Sequence, residues 1–386
     1  MKNPIYLDYA AATPMDNNVL SAMMPFFSAN FYNPSANYDP AIDVKNKLND
    51  SRGKISFWLG AKPTEIIFTA GGTEANNLAI SGVMQANPDK NLIVSAIEHD
   101  SVLLPAKQYL HKIAPVDSRG MINLPSLLKL IDKDTVLISV MHANNEVGTI
   151  QPIKEIAQKI KAIRSQRLLA NNHTPLYLHT DASQSVNYLD IHHSQLGVDL
   201  ISLNGGKIYG PKQTGILFVS SRVKLSPLML GGGQENNLRS GTENVAGFIG
   251  LACALDKTQL IRKEETDRLS KLQSHFFKNI AAKLPDVIIN GSLNKRLPNN
   301  IHLSFPGVDN EMLIALLNNA LIYVAAGSAC SASNNMPSHV LKAMGITDDQ
   351  ARSSLRISMG RETTLEDIDQ TISIIVDLVK EQMNNA

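Results

Sequence analysis

Apolar runs of five to seven residues recur between positions 65 and 220, and each gives way to a polar loop. The run 199–203 reads as a buried strand, and the runs 65–69, 91–96, 135–141 and 175–180 are strand-like in the same way. Segments of helical period lie among them. Positions 39–59 and 152–163 are amphipathic, and the stretch from Gly72 to about Gln85 begins at a glycine turn. Strands alternating with helices predict a mostly parallel sheet with crossover helices, an α/β fold. Beyond position 220 the pattern changes. A long helical stretch, 243–284, is expected to link two domains, and strands are expected near 300–304, 321–325 and 354–358. The expectation is a large domain over 15–255 and a smaller α+β domain formed by 1–14 with 256–386. The polar stretch 166–174, with two adjacent asparagines, reads as a surface loop.

The polar loops carry the candidate chemistry. Run 65–69 enters Ala70-Gly71-Gly72-Thr73-Glu74, a glycine turn feeding a helix N-terminus and a ready anion site. Run 91–96 leads to Glu98-His99, run 135–141 to Asn144-Asn145-Glu146, and run 175–180 to Asp181-Ala182-Ser183-Gln184. Run 199–203 leads to Asn204-Gly205-Gly206-Lys207, where glycines let a backbone approach a ligand. In open α/β sheets, ligands bind beyond the carboxyl ends of strands. A lysine there forms a Schiff base, or it is an ordinary solvated loop lysine. His99 as a satisfied histidine, Asp181 as a helix cap and Asn145 as a turn residue are the ordinary alternatives. Together, an anion nest, an imidazole, amides, a carboxylate and an amine fit pyridoxal 5′-phosphate. The nest takes the phosphate, and the carboxylate keeps the pyridine nitrogen protonated, which makes the ring an electron sink.

Of two cysteines, Cys330 lies among small residues in Gly327-Ser328-Ala329-Cys330-Ser331, just beyond an apolar stretch. It is a loop nucleophile or an inert turn residue. Cys253, within an apolar helical stretch, reads as a buried hydrophobe. His192-His193, with His179 and Asp181 near in sequence, have no metal-ligand spacing, and neighbours on one strand would face opposite ways.

The ordered motifs resemble a family. They begin with Tyr6-Leu7-Asp8-Tyr9-Ala10 and Asn33-Pro34-Ser35, and run through Gly72-Thr73-Glu74, Glu98-His99 and Asp181-Ala182-Ser183-Gln184. Lys207-Ile208-Tyr209-Gly210-Pro211, Arg239-Ser240-Gly241-Thr242, Gly327-Ser328-Ala329-Cys330 and Ser354-Leu355-Arg356 complete the set. The chain resembles, end to end, the pyridoxal-phosphate-dependent cysteine desulfurases of the iron–sulfur assembly type, on the class V aminotransferase fold. The resemblance implies that Lys207 is the Schiff-base lysine, that Asp181 pairs with the pyridine nitrogen and that His99 stacks on the ring. It implies that Gln184 and Asn145 bond near the ring hydroxyl and substrate, with Gly72 and Thr73 on the phosphate. Thr242 would reach the phosphate of a neighbouring subunit, so a homodimer is implied. Arg356 and Asn33 would grip the carboxylate of L-cysteine, and Cys330 would take its sulfur as a persulfide for a sulfur-acceptor protein.

Three positions depart from the family's pattern. Asn204 and Gly206 stand where it has serine and histidine, and Tyr38 stands where it often has histidine. Asn204 can still donate a hydrogen bond, as a cofactor-binding residue. Alternative readings are a selenocysteine lyase, an aminotransferase or a kynureninase-like hydrolase on the same fold, or a low-activity homologue acting as a binding partner.

Composition narrows the class. The 386 residues are 44% hydrophobic with a net charge of +1, so no bulk field draws nucleic acid or a membrane surface. Two cysteines suit a reducing cytoplasm rather than a disulfide scaffold. No apolar run reaches the roughly 18 residues of a spanning helix, and the N-terminus lacks the apolar core of a signal peptide.

Overall fold

A computed structural model describes residues 4–327 and 338–385. Strand β1 is Ile5–Tyr6. The large sheet comprises β2 (Ile66–Thr69), β3 (Asn91–Ser95), β4 (His111–Ala114), β5 (Thr135–Ser139), β6 (Tyr177–Asp181), β7 (Leu200–Asn204) and β8 (Gly215–Val219). Its order is β2-β8-β7-β6-β5-β3-β4. Pairing is parallel except at β8, which runs antiparallel to both β7 and β2. The mostly parallel sheet is as expected from the alternation. The half-exposed β4 follows no clear apolar run, and it was not anticipated.

Continuous apolarity has its cause in two covered faces. Ile66 and Phe68 of β2 enter a core shared with the helices Asp39–Leu59 and Ile153–Leu169. Ile67, between them, faces the opposite core with Leu78 and Val83 of the helix Gly72–Gln85. The period-2 alternation is real, but both faces are apolar.

Beyond the large sheet, β9 (Ile288–Ile289), β10 (Asn300–Ser304) and β12 (Ser354–Ser358) form an antiparallel sheet, while β11 (Ile322–Tyr323) pairs in parallel with β1. The 39-residue helix Val245–Lys283 joins the layers. Phe248 and Leu251 pack in the first core, and Leu269, Phe276 and Ile280 pack with Ile301 and Ile357 of the smaller sheet. A further cluster sets Ile97, Met141 and Val147, from the loops after β3 and β5, against Val340 and Leu341.

Three local expectations are corrected. The helix Ile153–Leu169 runs into the segment read as a surface loop, because Arg167 is buried and donates to the carbonyl oxygens of Asp132, Thr135, Thr174 and Pro175. His192 and His193 lie on no strand: His192 precedes the helical turn His193–Leu196, and the two rings stack 5.9 Å apart. Among the described residues no group of histidine, cysteine and acidic side chains could hold a metal. Cys253 is half-buried rather than buried, packed at the edge of the first core, and burial raises its thiol pKa.

Candidate active site

Strands that share a direction deliver their carboxyl ends to one edge of the sheet, and their loops close around one cavity. Gly72 and Thr73 after β2, His99 after β3, Asn145 after β5, Asp181 and Gln184 at the end of β6, and Asn204 and Lys207 after β7 all line it. Arg356 of β12 lines it from the smaller sheet.

The carboxylate is held from two sides. Asp181 accepts from the Ser183 amide (2.9 Å) and from Asn76 Nδ2 (2.7 Å). Asn76 Nδ2 also donates to Ser101 Oγ (2.9 Å), which lies 2.9 Å from His99 Nδ1. His99 Nδ1 accepts from the Ser101 amide (3.1 Å), so a neutral ring carries its proton on Nε2. One amide therefore ties the carboxylate to the imidazole. Asn76 was missed from sequence. Its signal is a buried polar residue between Ala75 and Leu78 on the apolar face of a helix.

The lysine is held by the N-terminal segment. Lys207 Nζ donates to the carbonyl oxygens of Ala10 (2.8 Å) and Ala11, and Gln184 Nε2 donates to Ala10 as well (3.0 Å). Thr13 Oγ1 donates to the Gly206 carbonyl (3.1 Å) and accepts from the Tyr209 amide (2.8 Å). Ala10 was read only as part of a motif, not as a partner of the lysine, because an alanine side chain advertises nothing about its carbonyl.

Arg356 is 2% exposed. Its Nη2 pairs with Asp8 Oδ1 at 2.7 Å, Nη1 donates to the Asn145 carbonyl at 3.3 Å, and buried Nε has no partner among the described residues. A buried guanidinium with capacity to spare suits a carboxylate ligand.

Glu98, fully buried, accepts from the Met141 amide with one oxygen, and its pKa is raised well above the carboxylate range by burial. His179 lies behind Asp181 between the hydroxyls of Ser139 and Ser202, and burial brings it down to about 4. It is a packed neutral histidine.

Two residues selected from sequence stand elsewhere. Asn33 is exposed, its side chain accepting from the Ser35 amide, and does not line the cavity. Thr242 is exposed and also outside it. Cys330 lies outside the described residues. The segments flanking it are tied beside the cavity: Ala325 bridges to Arg356, Ser338 Oγ donates to Glu146 at 2.5 Å, and His339 Nε2 bonds the Glu98 carbonyl at 2.9 Å.

The donors fit pyridoxal phosphate. The helix Gly72–Gln85 starts at Gly71 with no side-chain cap, and Ser183 Oγ beside it is buried without a partner. A carboxylate, an imidazole and an amine occupy the other walls of the same cavity.

Known proteins give the chain a family. The Aminotransferase class-V family profile matches residues 5–371. A cysteine desulfurase IscS from Dictyoglomus turgidum is 41% identical, covering 98% of this chain and 95% of its own. One from Methanosarcina thermophila is 40% identical, covering 98% and 93%. A solved NifS-like protein superposes with a TM-score of 0.88 at 32% identity, covering 98% of this chain and 99% of the other. The chain belongs to the class-V aminotransferase family, and within it to the cysteine desulfurases. It is a pyridoxal-phosphate-dependent enzyme.

Proposed function

We propose that this chain converts L-cysteine to L-alanine, keeps the sulfur on Cys330 as a persulfide and passes it to an acceptor protein for iron–sulfur cluster assembly. The observation that carries the reading is the convergence of Lys207, Asp181, His99 and Arg356 on one cavity in a cysteine desulfurase chain.

Bound in the cavity, pyridoxal phosphate would supply an electron sink for the pair left at the substrate α-carbon. Lys207 Nζ, in the wall of the same cavity, would hold the cofactor and would be placed to move the substrate's α-proton. Asp181, oriented by Asn76 and the Ser183 amide, keeps the ring nitrogen protonated. His99, positioned through Ser101, would stack on the ring. Gln184 and Asn145 bond near the ring hydroxyl and the substrate. Arg356 would receive the substrate carboxylate, which fixes the sulfur's position. The Cys330 thiolate then attacks that sulfur. The S–S bond forms as Cβ–S breaks, the bonding pair stays with carbon, and a proton there completes alanine. Atoms and electrons balance without an external oxidant.

A homodimer would let Thr242, exposed in one protomer, reach the neighbour's phosphate site. Residues 15–255 would then act as the cofactor-binding unit, with 1–14 and 256–386 as the smaller unit carrying Cys330. No helix among the described residues is long and apolar enough to cross a membrane, and thiolate chemistry fits a reducing cytoplasm.

The test is Cys330→Ala. The variant should bind pyridoxal phosphate and L-cysteine normally yet release neither sulfide nor alanine. Cys253→Ala, at the edge of the first core, should turn over near the wild-type rate. After treatment with cysteine, the wild-type peptide containing Cys330 should gain the mass of sulfur. Near wild-type alanine formation by Cys330→Ala would make the protein a thiol-independent lyase and end this reading.

A further inference from the structure

Three features meet where the helix Gly72–Gln85 begins. Gly71 caps it at φ 144°, a conformation open to glycine, with no side-chain acceptor, so the first amides of this 14-residue helix, whose Gly72 and Thr73 line the cavity, have no side-chain cap. The strand beside it makes room: a Cβ on Gly215 would fall 2.5 Å from the Gly71 carbonyl carbon. Asn204 commits Oδ1 to the Gly206 amide (3.0 Å), which turns Nδ2 towards Gly72, 3.4 Å from where a Cβ on that residue would sit.

The third feature is Ser183. It is 9% exposed, its amide is engaged by Asp181, and its Oγ is buried with no partner among the described residues. That Oγ lies 3.3 Å from the same Cβ position on Gly72. A buried hydroxyl without a partner is costly to leave unmade, and this one faces a helix N-terminus that favours an anion. The only carboxylate in that first turn, Glu74, is already committed to Arg239 (2.8 Å) and the Ala70 amide (2.8 Å).

We infer that Ser183 is a phosphate ligand: its hydroxyl donates to the cofactor's phosphate, together with Asn204 Nδ2 and the first amides of the helix. The assignment rests on the cofactor reading above and adds to it. It also couples the two ends of the cofactor, because Ser183 meets the phosphate with its hydroxyl and orients Asp181, at the ring nitrogen, with its amide.

Ser183→Ala removes the hydroxyl and keeps the amide. Dissociation constants are measured by equilibrium dialysis of the apoprotein against pyridoxal 5′-phosphate and against pyridoxal, which lacks the phosphate. A hydrogen bond to a charged group corresponds to roughly a ten- to hundredfold weaker affinity when lost. The constant for pyridoxal 5′-phosphate should rise by that factor, and the constant for pyridoxal should not change. The apo variant should unfold at or above the wild-type urea midpoint, since an unpaired buried hydroxyl has been removed. Equal weakening of both ligands would assign Ser183 to positioning Asp181 and overturn the inference, as would no weakening of either. Wild-type protein that takes up no pyridoxal 5′-phosphate would overturn the cofactor reading itself. Uptake by wild type with unchanged affinity in Ser183→Ala would overturn the inference alone.

Discussion

Glu235 is the anchor of a left-handed run, and removing its carboxylate should loosen the loop that leads to Thr242. Glu235, Asn236 and Asn237 all have positive φ, at 47°, 58° and 63°. Non-glycine residues hold such values at a cost of about 1–2 kcal/mol each, so the run needs an external hold. Glu235 supplies it. Arg52 donates to it in a fork, Nη1 to Oε2 at 2.7 Å and Nη2 to Oε1 at 2.6 Å, and the buried Phe68 amide of β2 donates at 2.8 Å. The side chains are 15% and 3% exposed. Glu235→Ala leaves Arg52 with the Ile66 carbonyl and the Phe68 ring, strands the Phe68 amide and frees the turn. Breaking a buried pair costs about 3–5 kcal/mol. We expect that loss in urea unfolding followed by circular dichroism at a fixed protein concentration. Arg52→Ala should cost a similar amount, and the double variant should cost clearly less than the sum of the two. A loss under about 1 kcal/mol in Glu235→Ala, or strict additivity, would refute the argument that this pair holds the loop.

Borohydride reduction of the holoenzyme should fix the cofactor on the peptide containing Lys207, and Lys207→Ala should abolish the label; a label on another lysine would displace it from its role. Stability should fall as pH drops from about 6.5 towards 4. Burial brings His142 and His179 down to about 4 and His302 to about 3, so the unfolded chain, with ordinary histidines, binds more protons in that window. Three protons give a slope of about 4 kcal/mol per pH unit near pH 5. Glu98, raised by burial, opposes this above its ordinary value and removes up to a third of the slope. A urea midpoint that stays flat from pH 6.5 to 4.5 would contradict these neutral buried histidines.

Much of the fold was legible because its signal is local. The strands β2, β3, β5, β6 and β7 sit on the apolar runs within a residue or two, since a strand covered on both faces is largely apolar. The helix Val245–Lys283 falls within the stretch read as helical from its period. Errors came where a long-range contact overrides local polarity. The asparagine-rich stretch after position 166 looked like a loop, but Arg167 finds four carbonyl partners there and extends the helix.

The sequence by itself determined the order of strands and helices and which residue types follow each strand. Those follow from hydrophobic period and from the short reach of glycine turns, which neighbours in the chain settle. The tertiary structure decided which of those residues face one another. Asn76 meets Asp181 across 105 positions, and Lys207 meets Ala10 across 197. Asp8 meets Arg356 across 348. It also left Asn33 and Thr242 outside the cavity of a single protomer. Hydrogen bonds of this kind depend on angles and distances that exist only once the sheet has set its order, so no local pattern in the chain encodes them.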